Sequence, residues 1–374
     1  MDPVGTGGAG GAGGDTGQGG TMATAGTGGQ GTAGTGGTTG IAGRGGTTGA
    51  AGRGGTTGTA GRGGTTGAAG RGGATGAGGT AASVLEFVGN ITTGNVVDTD
   101  GKVFSTYWDQ ISPENAGKWG SVQTSATATF NWRTLDAIYD YTQTKGILFK
   151  EHTFIWGSQQ PTGTITQANV QSWMTEFCKR YPNTKMIDVV NEPPPHTTPS
   201  YADAIGGGTN GNWQWITNAF TWARAACPGA ILILNDYNNI EWSADNTHYL
   251  SIISALKTAG APIDAIGAQA HDLDNAGVSV NTVKTLLAKL GTTGALPIYV
   301  TELDLSYTDD NQQLTAYQQW FPLLRDSGYV KGITIWGWIY GKTWSPSPNS
   351  GLIRNGAFRP AMTWLMQQLG RPTQ

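Results

Sequence analysis

The chain has 374 residues, two cysteines and a formal net charge of −3. That balance gives no support for a nucleic-acid or anionic-membrane partner. No uninterrupted apolar stretch is long enough to span a membrane, which needs about 18 residues.

Composition changes sharply along the chain. Residues 1–82 are mostly Gly, Thr and Ala, and cannot bury enough apolar surface to offset chain entropy. Fifteen of the 16 prolines and all 14 tryptophans follow residue 83. Gly-Arg-Gly-Gly-Thr-Thr-Gly-Ala-Ala starts at Gly43 and recurs, with one change, at Gly52 and then again at Gly61. Beneath this repeat, glycine falls on every third position from Gly28 to Gly79. A Gly-X-Y register is the collagen pattern, because only Gly fits the triple-helix axis. No proline pre-sets the polyproline conformation here, so a triple helix is poorly supported. The expectation is a disordered linker or tail reaching ~50 Å root-mean-square. A monomer is expected, with a tail-mediated trimer as the alternative. The start, Met1-Asp2-Pro3-Val4, lacks a basic and apolar signal region. Either export information has been trimmed or the chain is cytoplasmic. An extracellular or cell-surface location is the expectation.

The body, residues 83–374, has the size of one large α/β domain. Candidate strands are 84–91, 111–119, 147–156, 185–192, 230–237, 263–271, 297–304 and 331–337. Amphipathic helical stretches lie between most of them, at 132–145, 167–180, 213–226, 243–259, 282–290 and 311–327, and 359–369 closes the chain. The segment after the first strand is short and less clear. Eight strands alternating with helices predict an α/β fold, a (β/α)8 TIM barrel. Cys178 and Cys227 lack metal-ligand spacing; they are either a disulfide or two buried thiols.

Nearly every candidate strand ends in polar or aromatic groups. In sequence these are Glu114-Asn115 and Lys118, His152 and Trp156, Asn191-Glu192, Asn235-Asp236-Tyr237, Gln269 and His271, Glu302 and Asp304, and Trp336. In a barrel these ends share the C-terminal face, where active sites lie. Glu302 and Asp304 sit two residues apart, on one face of their strand. Glu192, ending the fourth strand, should meet Glu302 across the barrel mouth. A carboxyl pair of this kind suits glycoside hydrolysis. One acid must hold a proton for the leaving oxygen; the other must be ionised to attack the anomeric carbon. His271 is placed to hold Glu302, oriented in turn by Asp304. The His, Glu and Asp spacings fit no metal motif, so no metal and no cofactor are expected.

These residues carry a resemblance to family 10 glycoside hydrolases, mainly retaining endo-1,4-β-xylanases with a (β/α)8 barrel. It covers the body and none of the tail. Residues 111–119, Ile-Ser-Pro-Glu-Asn-Ala-Gly-Lys-Trp, resemble the segment after the family's second strand. That implies Glu114, Asn115 and Lys118 bind sugars on the non-reducing side. Residues 152–156 with Ser158-Gln159 resemble the third-strand motif, implying that His152, Trp156 and Gln159 line the innermost sugar site. Val189-Val190-Asn191-Glu192 implies Glu192 as acid/base and Asn191 on the 2-hydroxyl. Residues 266–271, with Gln269 and His271, resemble the sixth-strand segment. Residues 300–304 resemble the nucleophile signature, with Glu302 as nucleophile. Trp336 and Trp344 resemble the aromatic pair that caps the site, and Tyr237 is a further candidate sugar contact.

The chain departs from this pattern in four places. Gly157 stands where a second His is usual. Trp336-Gly337-Trp338-Ile339-Tyr340 lacks the usual acid. Glu192 is followed by Pro193-Pro194-Pro195-His196, a stiff run that should reshape the leaving-group side. The helix usually found before the first strand is missing. The resemblance implies xylan or xylooligosaccharides as substrate, with glucose rejected near Gln159 and Trp344. A β-1,4-glucanase or mixed-specificity enzyme and a non-catalytic polysaccharide-binding barrel are the alternatives.

Overall fold

A computed structural model describes residues 85–208 and 211–374. The expectations for residues 1–82, and for the region just before the first strand, lie outside the described residues. In chain order the elements are β1 (Phe87–Ile91), α1 (Phe104–Tyr107), β2 (Gln110–Ser112), α2 (Trp119–Val122), α3 (Arg133–Lys145), β3 (Leu148–Trp156), α4 (Gln167–Arg180), β4 (Met186–Asn191) and α5 (Gln214–Ala226). There follow β5 (Ile231–Asp236), α6 (Ser243–Thr258), β6 (Ala265–Ala268), α7 (Val280–Gly294), β7 (Ile298–Leu303), α8 (Asp310–Arg325), β8 (Val330–Ile335), a small antiparallel pair β9 (Ile353–Arg354) and β10 (Ala357–Phe358), and α9 (Pro360–Leu369).

Strands β1 to β8 close into a parallel barrel in chain order, β8 pairing back to β1. Apolar runs buried on both faces account for this, since helices cover the outside of a parallel sheet. Leu232, Leu234, Val300 and Ile333 are each fully buried. The helices start on local signals. Thr166 and Asn169 form a capping box on α4, and Asp309 accepts the Asn311 and Gln312 amides at the start of α8. One end of the barrel interior is filled by Phe87, Met186, Ile233, Ala265 and Tyr299. The other end is polar.

Most of the tryptophans are core filler. Trp108, Trp173, Trp215 and Trp338 are fully buried. Trp119 and Trp132 each stack on Trp173, at ring centroid distances of 6.0 and 5.6 Å. Cys178 and Cys227 form a disulfide with Cα atoms 5.4 Å apart, inside the window a bridge allows. It ties the C-terminal ends of α4 and α5, on the opposite side of the barrel from the strand ends.

The second strand differs most from the sequence reading. The expected 111–119 strand is only Gln110–Ser112. Pro113 lacks a ladder donor, and the Glu114 to Lys118 stretch is loop leading into α2. Strands β4, β5, β6, β7 and β8 also stop short of their expected ends. Glu192, Asn238 and Ala270 have φ of 50°, 62° and 66°, so the chain turns out of extended geometry there. Those turns aim the side chains beyond the strands across the barrel mouth.

Candidate active site

Glu302 is the penultimate residue of β7 and is 4% exposed. A carboxylate so deep needs partners. Its Oε1 accepts from Asn235 Nδ2 at 2.7 Å, and its Oε2 lies 3.3 Å from His271 Nε2. His271 Nδ1 faces Asp304 Oδ1 at 2.7 Å. With both ring nitrogens donating to carboxylates, the imidazole carries two protons. Burial opposes that charge, but Asp304 and Glu302 outweigh it and hold His271 well above its ordinary value. Burial likewise pushes Glu302 up, yet His152, His271 and Lys150 together bring its carboxyl down to about 2.

A second cluster lies behind this pair. Asp188 Oδ2 accepts the Lys150 ammonium and lies 2.9 Å from His152 Nδ1. His152 Nδ1 also stands 3.8 Å from Glu302 Oε1. His152, Asp188 and Glu302 bring candidate metal-ligating atoms within 4.8 Å of one another. The Lys150 ammonium already sits on Asp188, which makes a metal cation there costly. The group reads as a buried ion-pair cluster supporting Glu302.

Glu192 follows β4 directly. Its carbonyl accepts from both the Thr197 N–H and hydroxyl, at 3.1 and 2.7 Å, and its own N–H donates to the Asn235 carbonyl at 2.8 Å. These bonds support a left-handed φ that is unfavourable for a residue with a Cβ. The half-buried carboxyl accepts the Trp156 indole N–H at 2.7 Å and the Gln269 amide at 3.3 Å. Both donors are neutral. Asn191 Oδ1 takes amide hydrogens from Gln269 at 3.0 Å and Asn235 at 2.8 Å. Glu192, Gln269, Asn191, Asn235 and Glu302 therefore form one continuous chain of hydrogen bonds that sets the two carboxyls relative to each other.

The ends of β1, β2 and β8 wall one side of the site. Lys118 Nζ donates to Asn115 Oδ1 at 3.0 Å and sits 4.8 Å from the Trp156 ring centroid. Burial lowers its proton affinity, against the pull of Glu302, Glu114 and Glu192. Glu114 is pushed up to about 7 by burial, opposed by Lys118 and by the Gly94 and Trp344 amides. Trp336 is buried edge-on to His152 at 5.2 Å. Trp344 is 36% exposed, donates its indole N–H to Asp304 Oδ2 at 2.9 Å and packs on His271 at 4.7 Å. Gln159 is exposed on the loop after β3 and shares a small recess with Lys118 and Trp156. Tyr237 lies beyond β5, stacked on His196.

Sequence alone does not point to Lys150, Asp188 or Thr301, and it marks Asn235 only as a polar strand end. Thr301 Oγ1 donates to Asn235 Oδ1 at 2.6 Å and so turns the Asn235 amide toward Glu302. A signal for the first two was present: Lys150 and Asp188 are charges inside otherwise apolar strands. Two of the sequence departures prove to be one feature. A Cβ on Gly157 would meet Thr197 Cβ at 2.7 Å and its Oγ1 at 2.9 Å. The loop after Glu192 occupies the space a larger residue at 157 would need.

The sequence profile of Glycosyl hydrolase family 10 matches residues 76–368. Endo-1,4-beta-xylanase B of Cellvibrio japonicus is 43% identical over 289 residues, covering 75% of this chain and 45% of that protein. The chain thus spans less than half the length of that relative. Endo-1,4-beta-xylanase B of Thermotoga neapolitana is 29% identical over 255 residues, 63% of this chain and 71% of that protein. Native xylanase 10B from Thermotoga maritima superposes with a TM-score of 0.64 at 23% identity, covering 76% of this chain and 94% of that one, a likeness of fold. With the profile spanning the whole barrel, the chain belongs to glycosyl hydrolase family 10.

Proposed function

We propose that the protein is a retaining endo-1,4-β-xylanase acting on internal linkages of xylan. The observation that carries the roles is the unequal treatment of the two glutamates. Glu302 is sealed among cationic groups and held ionised, whereas Glu192 is half-buried and hydrogen-bonded by neutral donors. In the first step a Glu302 carboxylate oxygen attacks the anomeric carbon. The glycosidic C–O bond breaks and its oxygen takes the proton of Glu192. In the second step the Glu192 carboxylate takes a proton from water. The water oxygen bonds to the anomeric carbon, and the Glu302 ester bond breaks. His271 keeps Glu302 ionised before attack and stabilises it again as the ester cleaves. Asn191 accepts from Gln269 and Asn235, the amides that donate to the two carboxyls, and suits the 2-hydroxyl of the reacting sugar.

Family membership and the names of the relatives support xylan as substrate. Gln159 and Trp344 are our candidates for excluding the glucose hydroxymethyl group. The reading implies carboxyl groups ~5–5.5 Å apart. An extracellular or cell-surface location fits this reading, and the Cys178–Cys227 disulfide supports it, since such bonds persist in oxidising compartments. Xylan digestion followed by NMR of the product anomers tests the reaction. The first product should be β-configured, and Glu302→Gln should lack activity. An α-configured first product would sink retention, and full activity in the variant would sink the mechanism. Faster turnover of soluble cellulose derivatives than of xylan would replace the substrate assignment with a β-1,4-glucanase.

A further inference from the structure

The loop after Glu192 carries a histidine that the reaction above does not use. His196 Nδ1 donates to Asp236 Oδ1 at 2.7 Å, and its Nε2 lies 3.6 Å from Asp245 on α6. The same Asp236 oxygen accepts the Tyr237 backbone N–H at 3.0 Å. One carboxylate oxygen therefore fixes both residues, and their rings lie face to face, 3.8 Å apart and 14° from parallel. The anchoring continues on α6, where His248 Nε2 donates to the Pro194 carbonyl at 2.8 Å. The His196 side chain is 11% exposed. Tyr237 is half-buried, and its hydroxyl has no hydrogen-bond partner among the described residues. One face of the phenol is thus backed by a fixed imidazole, and its polar tip is left for something other than the protein.

Position gives this pair its meaning. Strand β5 lies across the barrel from β8, β1 and β2, whose ends carry Trp336, Trp344, Glu114, Asn115 and Lys118. If the glycone rests against that wall, the leaving-group sugar extends the other way, past Glu192 toward β5. We propose that His196 is a positioning residue for the leaving-group subsite. Clamped by Asp236 and Asp245, it holds the Tyr237 ring as a fixed stacking wall for the first sugar beyond the cleaved bond. This rests on the xylanase reading. Aromatic rings suit sugar stacking because they combine a flat apolar face with a polar tip. A wall already ordered spares the substrate the cost of ordering it, which corresponds to roughly 3- to 10-fold in apparent affinity for one side chain.

The test compares two substrates. Xylopentaose places a sugar beyond the cleaved bond; 4-nitrophenyl β-xylobioside places only a nitrophenol there. His196→Ala should lower kcat/KM on xylopentaose roughly 3- to 10-fold, mainly through KM, and redistribute its cleavage positions. Its kcat on the nitrophenyl substrate should stay within about twofold of wild type. His196→Asn keeps a donor for Asp236 without a ring and should lose as much as His196→Ala. Tyr237→Ala should lose at least as much, and adding His196→Ala to it should cost nothing more, because one acts through the other. Equal losses on both substrates would overturn the proposal in favour of general damage to the Glu192 loop. Recovery in His196→Asn, or additive losses in the double variant, would overturn it too. Wild-type inactivity on both substrates would instead overturn the xylanase reading and take this placement with it.

Discussion

His271 and Asp304 are joined at 2.7 Å through Nδ1 and Oδ1, leaving the other imidazole nitrogen to face Glu302. Asp304 also holds the Trp344 indole through its second oxygen. In the proposed mechanism its part is therefore indirect: it keeps His271 charged and oriented, and it seats one aromatic wall. Glu302→Gln removes the attacking atom and should lower kcat by on the order of 10⁴-fold or more. Asp304→Asn removes charge from one hydrogen bond, worth ~1.5–3 kcal/mol, and should cost roughly 10- to 100-fold. Steady-state kinetics on xylan for both variants checks this ordering, and equal losses would mean the two acids are misassigned.

The charges around Glu302 also make a statement about stability. Its folded-state carboxyl titrates near 2, below the ordinary 4.5. Its contribution is therefore complete above about 4.5 and is lost as pH falls toward 2. His271 is shifted the other way, above 6.5, so its contribution is complete below 6.5 and is lost as pH rises through its folded value. The two overlap fully between about 4.5 and 6.5. Glu302→Gln should thus be less stable than wild type across that window, with a difference that narrows below pH 4.5. Urea melts of both proteins at pH 6, 4 and 3 measure it. A difference that grows on acidification would contradict the assigned charges.

The disulfide is separable from the catalytic site. Cys178 and Cys227 close a loop with a sequence separation of 49 at the barrel end remote from the carboxyls. Chain-entropy arguments give such a loop roughly 4 kcal/mol as an upper guide. Cys178→Ala with Cys227→Ala should lower the melting temperature and leave kcat on xylan at 25 °C unchanged. A large loss of kcat in a folded variant would show that the bridge also supports the strand ends.

Much of this fold was legible because its strands are short apolar runs that stop on polar residues, and barrels collect such stops on one face. The glutamates, His271 and the aromatic walls carried their own local motifs. The second strand looks longer in sequence than it is because Ile111 and Trp119 bracket a stretch that reads as continuous until Pro113 removes a donor. Lys150 and Asp188 each look anomalous alone. Only the β3–β4 register, which pairs His152 with Asp188, makes them partners. The disulfide needed a Cα separation that spacing does not supply. The Gly157 and proline-run departures looked independent because the residues involved are 40 apart in sequence and adjacent only in space.

Gly157 is not in a left-handed conformation, so Ala there is penalised by contact alone. Its Cβ would press on Thr197 and on the Thr198 amide nitrogen at 2.9 Å. Thr197 holds the Glu192 carbonyl through two hydrogen bonds, so displacing it moves Glu192, the proposed acid/base. Overpacking of this kind costs ~1–3 kcal/mol of stability. A displacement of about 1 Å at a catalytic group can cost on the order of 10²-fold. Gly157→Ala should therefore melt earlier and lose roughly 10- to 100-fold in kcat on xylan. The loss should be smaller on 4-nitrophenyl β-xylobioside, whose leaving group needs little protonation. Normal kcat on xylan in a destabilised Gly157→Ala would mean that the loop yields without moving Glu192, and that the two departures are coupled in packing but not in catalysis.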